Sequence, residues 1–541
     1  MRDRLHRGPE RSRTETMGSS MSTTTAGGAG AREWGGLAVL SLPTVLLGLD
    51  VTVLYLALPS LAEDLRPSGT EELWIMDAYG FLIAGFLITM GTLGDRIGRR
   101  RLLLLGAAAF GVVSVLAAYS TSAEMLIAAR AALGIAGATL MPSTLALISN
   151  MFSDERQRSL AIGVWATSFA LGMALGPVVG GAMLDHFWWG SAFLLAVPVA
   201  VVLLVAAPLL IPEYRAPHSG RFDLLSVVLS LVAILPVIYA VKQFAKDGLD
   251  LATVAATVVG VVFAVVFVKR QGKLASPLLD MRLFTDRTFS AALSVLLVGL
   301  VGVGGSMLLI TQQLQLVEGL PPVEAGLWMG PPAMLMFLAA IGAPLVSRRV
   351  PPGIVVAATL TLSTVGYVLL TQVDAGDGVA LMVIGFGLVY LGLGAIAALG
   401  TDLVVGAAPP EKAGSASAMS ETVQELGLAL GVAILGSLAT AVYRNRIDGE
   451  IPAGTPSDVA EPAGDSLAGA ASSAQRMPEG WFEAAKEAAT SGLNTAMLVA
   501  AVCTLVLALL SAVVLRHVGV IGGQEPDAGE SVPAERAGSQ V

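Results

Sequence analysis

Five ionisable side chains lie inside otherwise apolar stretches of the sequence and could carry proton or ion chemistry: Asp50, Asp77, Arg130, Glu421 and Glu425. Near the centre of a bilayer such a side chain costs about 2.5–3.5 kcal/mol on insertion scales, so each one needs a reason to be there. A carboxyl group in apolar surroundings favours its protonated form and can then exchange a proton near neutral pH. The four acids are therefore candidates for proton carriage or for recognition of a cation.

The four acids differ in their surroundings. Asp50 has no lysine or arginine in its own stretch, 49–59, so another helix, water or a cargo has to meet its charge. The alternative is a protonated carboxyl that hydrogen-bonds for packing. Asp77 lies near the outer end of its stretch, where a solvated residue at a helix start is the alternative.

Glu421 and Glu425 are four residues apart and so share one face of a helix. Because two like charges cannot both ionise cheaply in a low dielectric, the pair favours proton binding by one member. For Glu425, a hydrogen bond to a neighbouring helix is an equally simple explanation.

Arg130 is the one basic residue inside an apolar stretch. A guanidinium group stays charged in proteins, so Arg130 needs a buried acceptor, either a carboxylate or backbone carbonyls. A cation placed this way would sense whether a nearby acid carries a proton. The alternative is an arginine that extends to the outer interface.

A short polar segment between the second and third apolar stretches has the residue types of a tight cytoplasmic turn. Positive charges anchor such a turn on the cytoplasmic side, but this does not explain its acid or its glycines. An aspartate at a helix end can make a charge–dipole contact that breaks when an inner gate opens. The candidate gating residues are Gly91, Asp95, Arg96, Gly98 and Arg99.

The fifth apolar stretch contains glycines at short intervals together with a Gly-Pro step. Such glycines allow another helix to approach backbone to backbone, and the proline removes one hydrogen bond so that the helix can bend. One or two glycines would be ordinary membrane packing, whereas this pattern is much more specific. The residues concerned are Gly163, Gly172, Gly176, Pro177, Gly180 and Gly181.

The composition indicates which elements position these residues. The chain has 541 residues, of which 55% are hydrophobic and 13% charged, against about 25% charged in an ordinary soluble domain. This nearly excludes a soluble globule, and the net charge of −9 argues against nucleic acid as a partner. One cysteine and four scattered histidines argue against disulfides, metal sites and enzyme chemistry, and we expect no cofactor.

Charge-free runs long enough to cross a bilayer predict fourteen membrane spans, all helical because lipid cannot satisfy unpaired backbone groups. Lysines and arginines concentrate in alternate loops, which places both termini in the cytoplasm. The predicted organisation is a disordered cytoplasmic tail (1–33), an N-terminal six-helix bundle (34–212), two inserted membrane helices (223–269), a cytoplasmic linker (270–288), a C-terminal six-helix bundle (289–517) with an outer helical hairpin (443–490), and a second cytoplasmic tail (518–541).

Over about 35–517 the chain resembles the major facilitator superfamily, in its fourteen-span drug:proton antiporter branch. Segments 49–59, 91–101, 126–138 and 163–181 match four of its motifs, in the right order and at the right spans. The resemblance implies that Arg130 takes part in proton coupling and that Asp95 and Arg96 control an inner gate. It implies an antiporter-type helix around Gly172, Gly176, Pro177 and Gly181, and Asp50, Asp77 and Glu421 are similar to acids that bind protons or cations in such exporters.

We therefore expect a proton-coupled antiporter that exports lipophilic, cationic small molecules from the cell by alternating access in the cell membrane. It should act as a monomer on small-molecule substrates and protons, within the lipid bilayer. The alternatives are a proton-coupled exporter of a neutral or anionic natural product and, less favoured by the glycine-proline helix, an uptake symporter.

Overall fold

A computed structural model describes residues 29–152, 154–215, 223–274, 277, 281–376, 378–409, 413–451, 455–478, 480–516 and 518. In these residues the chain folds into helices and forms no strand. Thirteen of the described helices are long and apolar enough to cross a membrane, and a fourteenth is bent by 48° near residue 88. The predicted all-helical membrane fold is confirmed. The predicted tails lie outside the described residues except at residue 518 and at residues 29–33, where a helix begins at Ala31.

Short polar caps start several helices of the N-terminal half. Ser68, Ser122 and Asp154 each accept a hydrogen bond from a backbone N–H in the first turn that follows, which satisfies a donor that has no partner within the helix. The helices are α1 (Ala31–Leu65), α2 (Gly69–Ile97), α3 (Arg99–Ala118), α4 (Ala123–Met151), α5 (Glu155–His186), α6 (Ser191–Leu194) and α7 (Ala196–Leu210); α6 and α7 form one span, interrupted at Leu195.

The rest of the chain contains the inserted pair and the C-terminal half. A π turn follows α10 at Gln313–Val317 and another follows α14 at Val432–Gly436. The helices are α8 (Leu224–Asp247), α9 (Leu251–Gln271), α10 (Arg287–Gln312), α11 (Pro322–Val346), α12 (Pro352–Leu370), α13 (Val379–Gly406), α14 (Ala413–Gly431), α15 (Ser437–Ile447), α16 (Ser457–Asp465), α17 (Leu467–Ser473) and α18 (Trp481–Val514).

The two bundles contact each other mainly through α5 with α11 and α2 with α14. A Cβ atom on Gly181 of α5 would lie 2.5 Å from the carbonyl oxygen of Pro322 of α11, and one on Gly80 of α2 would lie 2.9 Å from Cβ of Ala429 of α14. Both contacts lie toward the end of the molecule that carries α16 and α17, which we call the outer end. The end with the turn between α2 and α3 is the inner end. The bundles are therefore in close contact nearer the outer end.

The inserted pair α8–α9 packs on the seam between the bundles, because α8 contacts both α2 and α15. Ile238 of α8 lies in one apolar cluster with Phe81 of α2 and with Ala429 and Ala433 of the C-terminal half. At the inner end the two helices are joined by polar contacts. Asp223 accepts hydrogen bonds from Ser226 (2.6 Å) and Arg270 (2.9 Å).

The outer hairpin, consisting of α16 and α17, contacts both bundles at the outer end. Asp465 accepts a hydrogen bond from the backbone N–H of Gly69, the first residue of α2 (2.6 Å), and pairs with Arg444 of α15. Residues 481–490 form the first turns of α18 and are continuous with the last membrane span. The hairpin therefore links the start of α2 to the C-terminal bundle.

The glycine pattern of α5 provides a matched test of packing. A Cβ on Gly172 would meet the backbone carbonyl of Val45 of α1, which cannot move aside, whereas nothing lies within 4 Å of a Cβ on Gly163. We expect Gly172→Ala to destabilise the folded protein by about 1–3 kcal/mol through overpacking. Gly163→Ala should leave stability unchanged or raise it by up to about 1 kcal/mol, because alanine favours helix. Thermal unfolding in detergent measures both, and equal shifts in the two variants would contradict the packing assignment.

The contacts of Asp223 predict an acid-sensitive link in the inserted pair. Partial burial opposes its ionisation, but hydrogen bonds from Ser226 and Arg270 outweigh that and hold the pKa of this carboxyl below its usual value. Its stabilisation is therefore present above the ordinary carboxyl pKa of about 3.9 and is lost as the pH falls through the lower folded value. At neutral pH, Asp223→Asn should lower the unfolding temperature by more than Asp250→Asn, which keeps a capping oxygen at the start of α9 and leaves Arg270 paired. The difference in unfolding temperature between the two variants should shrink in acid. A difference that does not change with pH would contradict the proposed link between Asp223 and Arg270.

Candidate functional site

Arg130 of α4 is held at the centre of a buried polar site. Its Nη1 donates a hydrogen bond to Oδ2 of Asp50 of α1 at 2.9 Å, and its Nε donates to the carbonyl oxygen of Ile75 of α2 at 3.2 Å. Only 2% of the residue is exposed. One guanidinium therefore joins three helices of the N-terminal bundle, and its acceptors are a carboxylate and a backbone carbonyl.

Close helix packing brings these groups together. A Cβ on Gly134, one turn after Arg130, would lie 2.5 Å from the carbonyl oxygen of Tyr79, so α4 runs against the backbone of α2. A Cβ on Gly48, two residues before Asp50, would meet the backbone of α5 at Phe169. Glycine is required at both crossings, because any side chain would push the helices apart and lengthen the ion pair.

Gly172, Gly176 and Gly180 of α5 face α1, and Gly181 faces α11. The hydroxyl of Thr52, two residues after Asp50, is directed at Gly176. It lies within hydrogen-bond distance of the carbonyl oxygens of Gly48 and Leu49 in its own helix (3.3 Å each) and of Met173 in α5 (3.4 Å). The carbonyl of Pro177 packs against Gly326 of α11, whereas Gly163 is exposed. The glycine helix thus supports the segment that carries Asp50 on one face and forms the contact between bundles on the other.

Aromatic rings enclose the guanidinium. The ring of Tyr79 is centred 4.5 Å from Cζ of Arg130, and the ring of Phe193 lies 5.9 Å away. Both distances fall within the range in which an aromatic face attracts a cation. Sequence reasoning did not select either ring as a site residue. Tyr79 lies two residues after Asp77, which is the only local signal that could have pointed to it.

Asp77 is fully buried in α2 and lies in the same electrostatic neighbourhood. Asp77, Arg130 and Glu425 are all within electrostatic range of the hydroxyl of Tyr55 on α1. Tyr390 of α13, in the opposite bundle, is also in range of that hydroxyl. The structure therefore places acids, one arginine and two tyrosines around the interface between the bundles.

Glu425 and Glu421 supply the acidic groups of the C-terminal bundle. Glu425 is 6% exposed and lies in electrostatic range of Asp50 across the interface. Glu421 is half-buried one turn nearer the inner end and is in range of Glu425. Gln424 beside them donates to the hydroxyl of Ser420 at 3.3 Å. Of the predicted acids, the structure thus groups Asp50, Asp77 and Glu425 near Arg130 and places Glu421 beside that group.

A small cavity opens beside Asp50, between α1 and the interrupted span α6–α7. Leu49 and Val53 line it on one side, and Ala192 and Phe193 line it on the other. The side chain of Asp50 is 12% exposed, against 3% for that of its partner Arg130. The carboxylate is therefore the member of the pair that small ions or water can reach.

The predicted gating residues form a compact turn at the inner end. Nε of Arg99 donates to Oδ1 of Asp95 at 2.8 Å, and Nη1 of Arg99 donates to the carbonyl oxygen of Pro142 of α4 at 3.3 Å. Gly91 lies beside Pro142, and Arg96 is exposed. These contacts all stay within the N-terminal bundle.

The turn also uses an acid that sequence reasoning missed. Gly98 has a φ of 112°, a conformation that favours glycine. Two residues later, the backbone N–H of Arg100 donates to Oε1 of Glu213 at 2.9 Å. Glu213 thereby caps the start of α3 from the segment that follows α7. A lone acid just after an apolar span was its only signal in the sequence.

The chain is similar in sequence to proteins that are named for drug efflux and resistance. The chain is 44% identical over 490 residues to the multidrug efflux pump LfrA of Mycolicibacterium smegmatis, covering 90% of this chain and 97% of that protein. It is 36% identical over 468 residues to the methyl viologen resistance protein SmvA of Salmonella typhimurium, covering 85% and 92%.

Solved structures share the fold. A bacterial homologue of the human lysosomal transporter Spinster, in an inward-facing and unoccupied conformation, aligns with a TM-score of 0.62 at 16% identity, covering 90% of this chain and 98% of that one. The model of the Major Facilitator Superfamily matches residues 40–432. The chain therefore belongs to the major facilitator superfamily, a family of membrane transporters.

Proposed function

We propose that this protein is a proton-coupled multidrug efflux antiporter that exports lipophilic cations from the cell by alternating access. The observation that carries the proposal is the Asp50–Arg130 ion pair, buried in membrane helices and next to acids of the opposite bundle. The efflux and resistance relatives support export as its direction. We further propose that it acts as a monomer, since one chain supplies the whole site. We also propose that it lies in the cell membrane with both termini in the cytoplasm, because lysines and arginines concentrate in alternate loops.

The ion pair can link a proton to the cargo. When Asp50 is ionised, Arg130 neutralises it through a hydrogen bond of 2.9 Å. When a proton binds to Asp50, the carboxyl becomes neutral and the positive charge of Arg130 is left with the Ile75 carbonyl and the tyrosine ring. A cationic cargo is then repelled by Arg130 and loses an attractive carboxylate. Proton binding from outside thus expels the cation, and proton release to the cytoplasm restores its site.

Acids of the opposite bundle set the charge that each cycle moves. Exchange of one proton for one monovalent cation gains nothing from the membrane voltage, whereas each additional proton gains about 2.3 kcal/mol per 100 mV. Glu425 and Glu421 of that bundle, together with Asp77 of α2, supply further carboxyl groups at the interface. We propose that Asp50 and Glu425 each carry a proton while Tyr55 and Tyr390 offer aromatic faces to the cation.

The inner turn and the glycine helix are proposed to act on the two gates. In this structure Asp95 is paired with Arg99 inside its own bundle, which leaves the inner end free to open. At the outer end, the glycines of α5 bring it against α11. We propose that this arrangement represents a state in which the bundles are closed at the outer end.

Neutralising Asp50 tests the coupling. We expect Asp50→Asn to abolish dye efflux that a protonophore stops in wild-type cells, because the amide cannot carry the proton and leaves Arg130 without a counter-charge. In the same variant, exchange of labelled dye across vesicles without a gradient distinguishes the charge of the cargo. Exchange should be lost together with efflux if the cargo is a cation, and should fall much less than efflux if the cargo is neutral or anionic. Glu63→Gln, an exposed acid near the end of α1, is the control and should behave as wild type. Wild-type efflux by Asp50→Asn at normal expression would rule out the mechanism.

Removal of the second acid tests the stoichiometry. If two protons exchange for one monovalent cation, Glu425→Gln should move one charge fewer and become insensitive to an imposed potassium diffusion potential, while a pH gradient still drives transport. Asp402→Asn, an exposed acid on α13, should keep the wild-type response. Voltage-driven transport that persists in Glu425→Gln would show that its proton does not belong to the cycle.

A further inference from the structure

A second cavity lies at the outer end, where both bundles and the outer hairpin meet. Its apolar walls include Leu58 and Leu73 of the N-terminal bundle, Leu308 and Leu493 of the C-terminal bundle, and Leu467 of α17. Because residues of both bundles line it, its shape has to change whenever the bundles move apart at this end.

One buried carboxylate faces this cavity. Glu72 of α2 lines it and is only 5% exposed. Its Oε1 accepts a hydrogen bond from the hydroxyl of Ser466 at 3.0 Å, the one donor to this carboxylate among the described residues. In the described chain it forms no ion pair with a basic side chain. A buried carboxylate that lacks a counter-charge is costly unless it binds a proton or a cation.

Two other polar side chains that line the cavity, Tyr443 and Gln313, already have partners. The hydroxyl of Tyr443 donates to the carbonyl oxygen of Ala463 at 2.7 Å, and Nε2 of Gln313 donates to the hydroxyl of Thr490 at 2.8 Å. The neighbouring Asp465 is neutralised by Arg444. Glu72 is the carboxyl group among the residues that line the cavity, and it is anionic once it has released its proton.

The position of the cavity relates it to the central site. Glu72 precedes Asp77 by five residues on α2, which corresponds to about 7.5 Å along the helix axis in the direction of the outer end. A cargo that leaves the acids around Arg130 for the outside would pass this point.

We infer that the cavity is an exit subsite for a monovalent lipophilic cation, with Glu72 as its counter-ion and leucine side chains as its apolar walls. The inference rests on the proposed export of cations and names a second binding place for the same cargo. A carboxylate in an apolar enclosure suits a large cation of low hydration, since such a cation loses little on leaving water and gains a charge-assisted contact.

Protection of a single cysteine tests the subsite. Thr440 lines the cavity, so Thr440→Cys in the full chain with Cys503→Ser introduces one reporter. The protein in lipid nanodiscs is treated with a membrane-impermeant thiol reagent, with and without tetraphenylphosphonium. At about ten times its Kd the cation should slow modification by roughly tenfold through mass action. Glu72→Gln should remove most of that protection, whereas Asp50→Asn should retain it.

Further measurements decide between the other outcomes. Glu461→Gln, an exposed acid on α16, should leave the protection intact. A neutral compound of similar size that protects as well as the cation, or protection that survives Glu72→Gln, would overturn the inference. If the reporter does not react, the binding stoichiometry of radiolabelled tetraphenylphosphonium decides, because it should fall from two per chain to one in Glu72→Gln. Dye efflux by cells is scored separately, so loss of the subsite and failure of the proposed function give different results.

Discussion

A permanent positive charge inside the membrane is the constraint on which the structure depends. Arg130 cannot lose its proton and cannot reach water, so the surrounding helices have to supply acceptors. Asp50 supplies the charge and Ile75 a carbonyl, and these lie on two different helices. The need to satisfy one side chain therefore fixes three helices against each other, and the N-terminal bundle can move as one body.

The charges divide unequally between the bundles. The fixed cation and its partner belong to the N-terminal bundle, whereas Glu425 reaches toward them from the C-terminal bundle without a counter-ion of its own in the described chain. A rocking motion changes the distance from Glu425 to Arg130 and leaves the distance from Asp50 to Arg130 nearly unchanged. The conformation of the transporter and the protonation of its acids are thereby linked by Coulomb attraction alone, without any moving loop.

Sequence reasoning predicted the spans and the need for partners, but not which partners. Charge-free runs located the membrane helices, because every charge in lipid costs free energy. The break at Leu195 lies inside such a run, so no charged residue indicates it. Arg130 was expected to have an acceptor, yet Asp50 lies eighty residues away in the sequence, and only the three-dimensional packing identifies it. Gly163 and Gly172 look equivalent in the sequence, although only Gly172 touches another backbone. Glu213 and Glu72 were not selected from the sequence, because an acid at the end of a span costs little insertion free energy and so needs no functional explanation.

Helix α2 is where these separate features meet. Its first residue is capped by the outer hairpin, its middle borders Arg130 and α14, and the inserted helix α8 packs along its other side. The bend of 48° near residue 88 lies between this crowded outer part and the inner turn that contains Asp95. The bend thus separates the outer half, which carries the ion site, from the inner end, which Arg99 links to Pro142 of α4. The extra elements, α8–α9 and the hairpin, both hold the outer half, so they stabilise the part of the molecule in which an error of 1 Å would break the Asp50–Arg130 hydrogen bond.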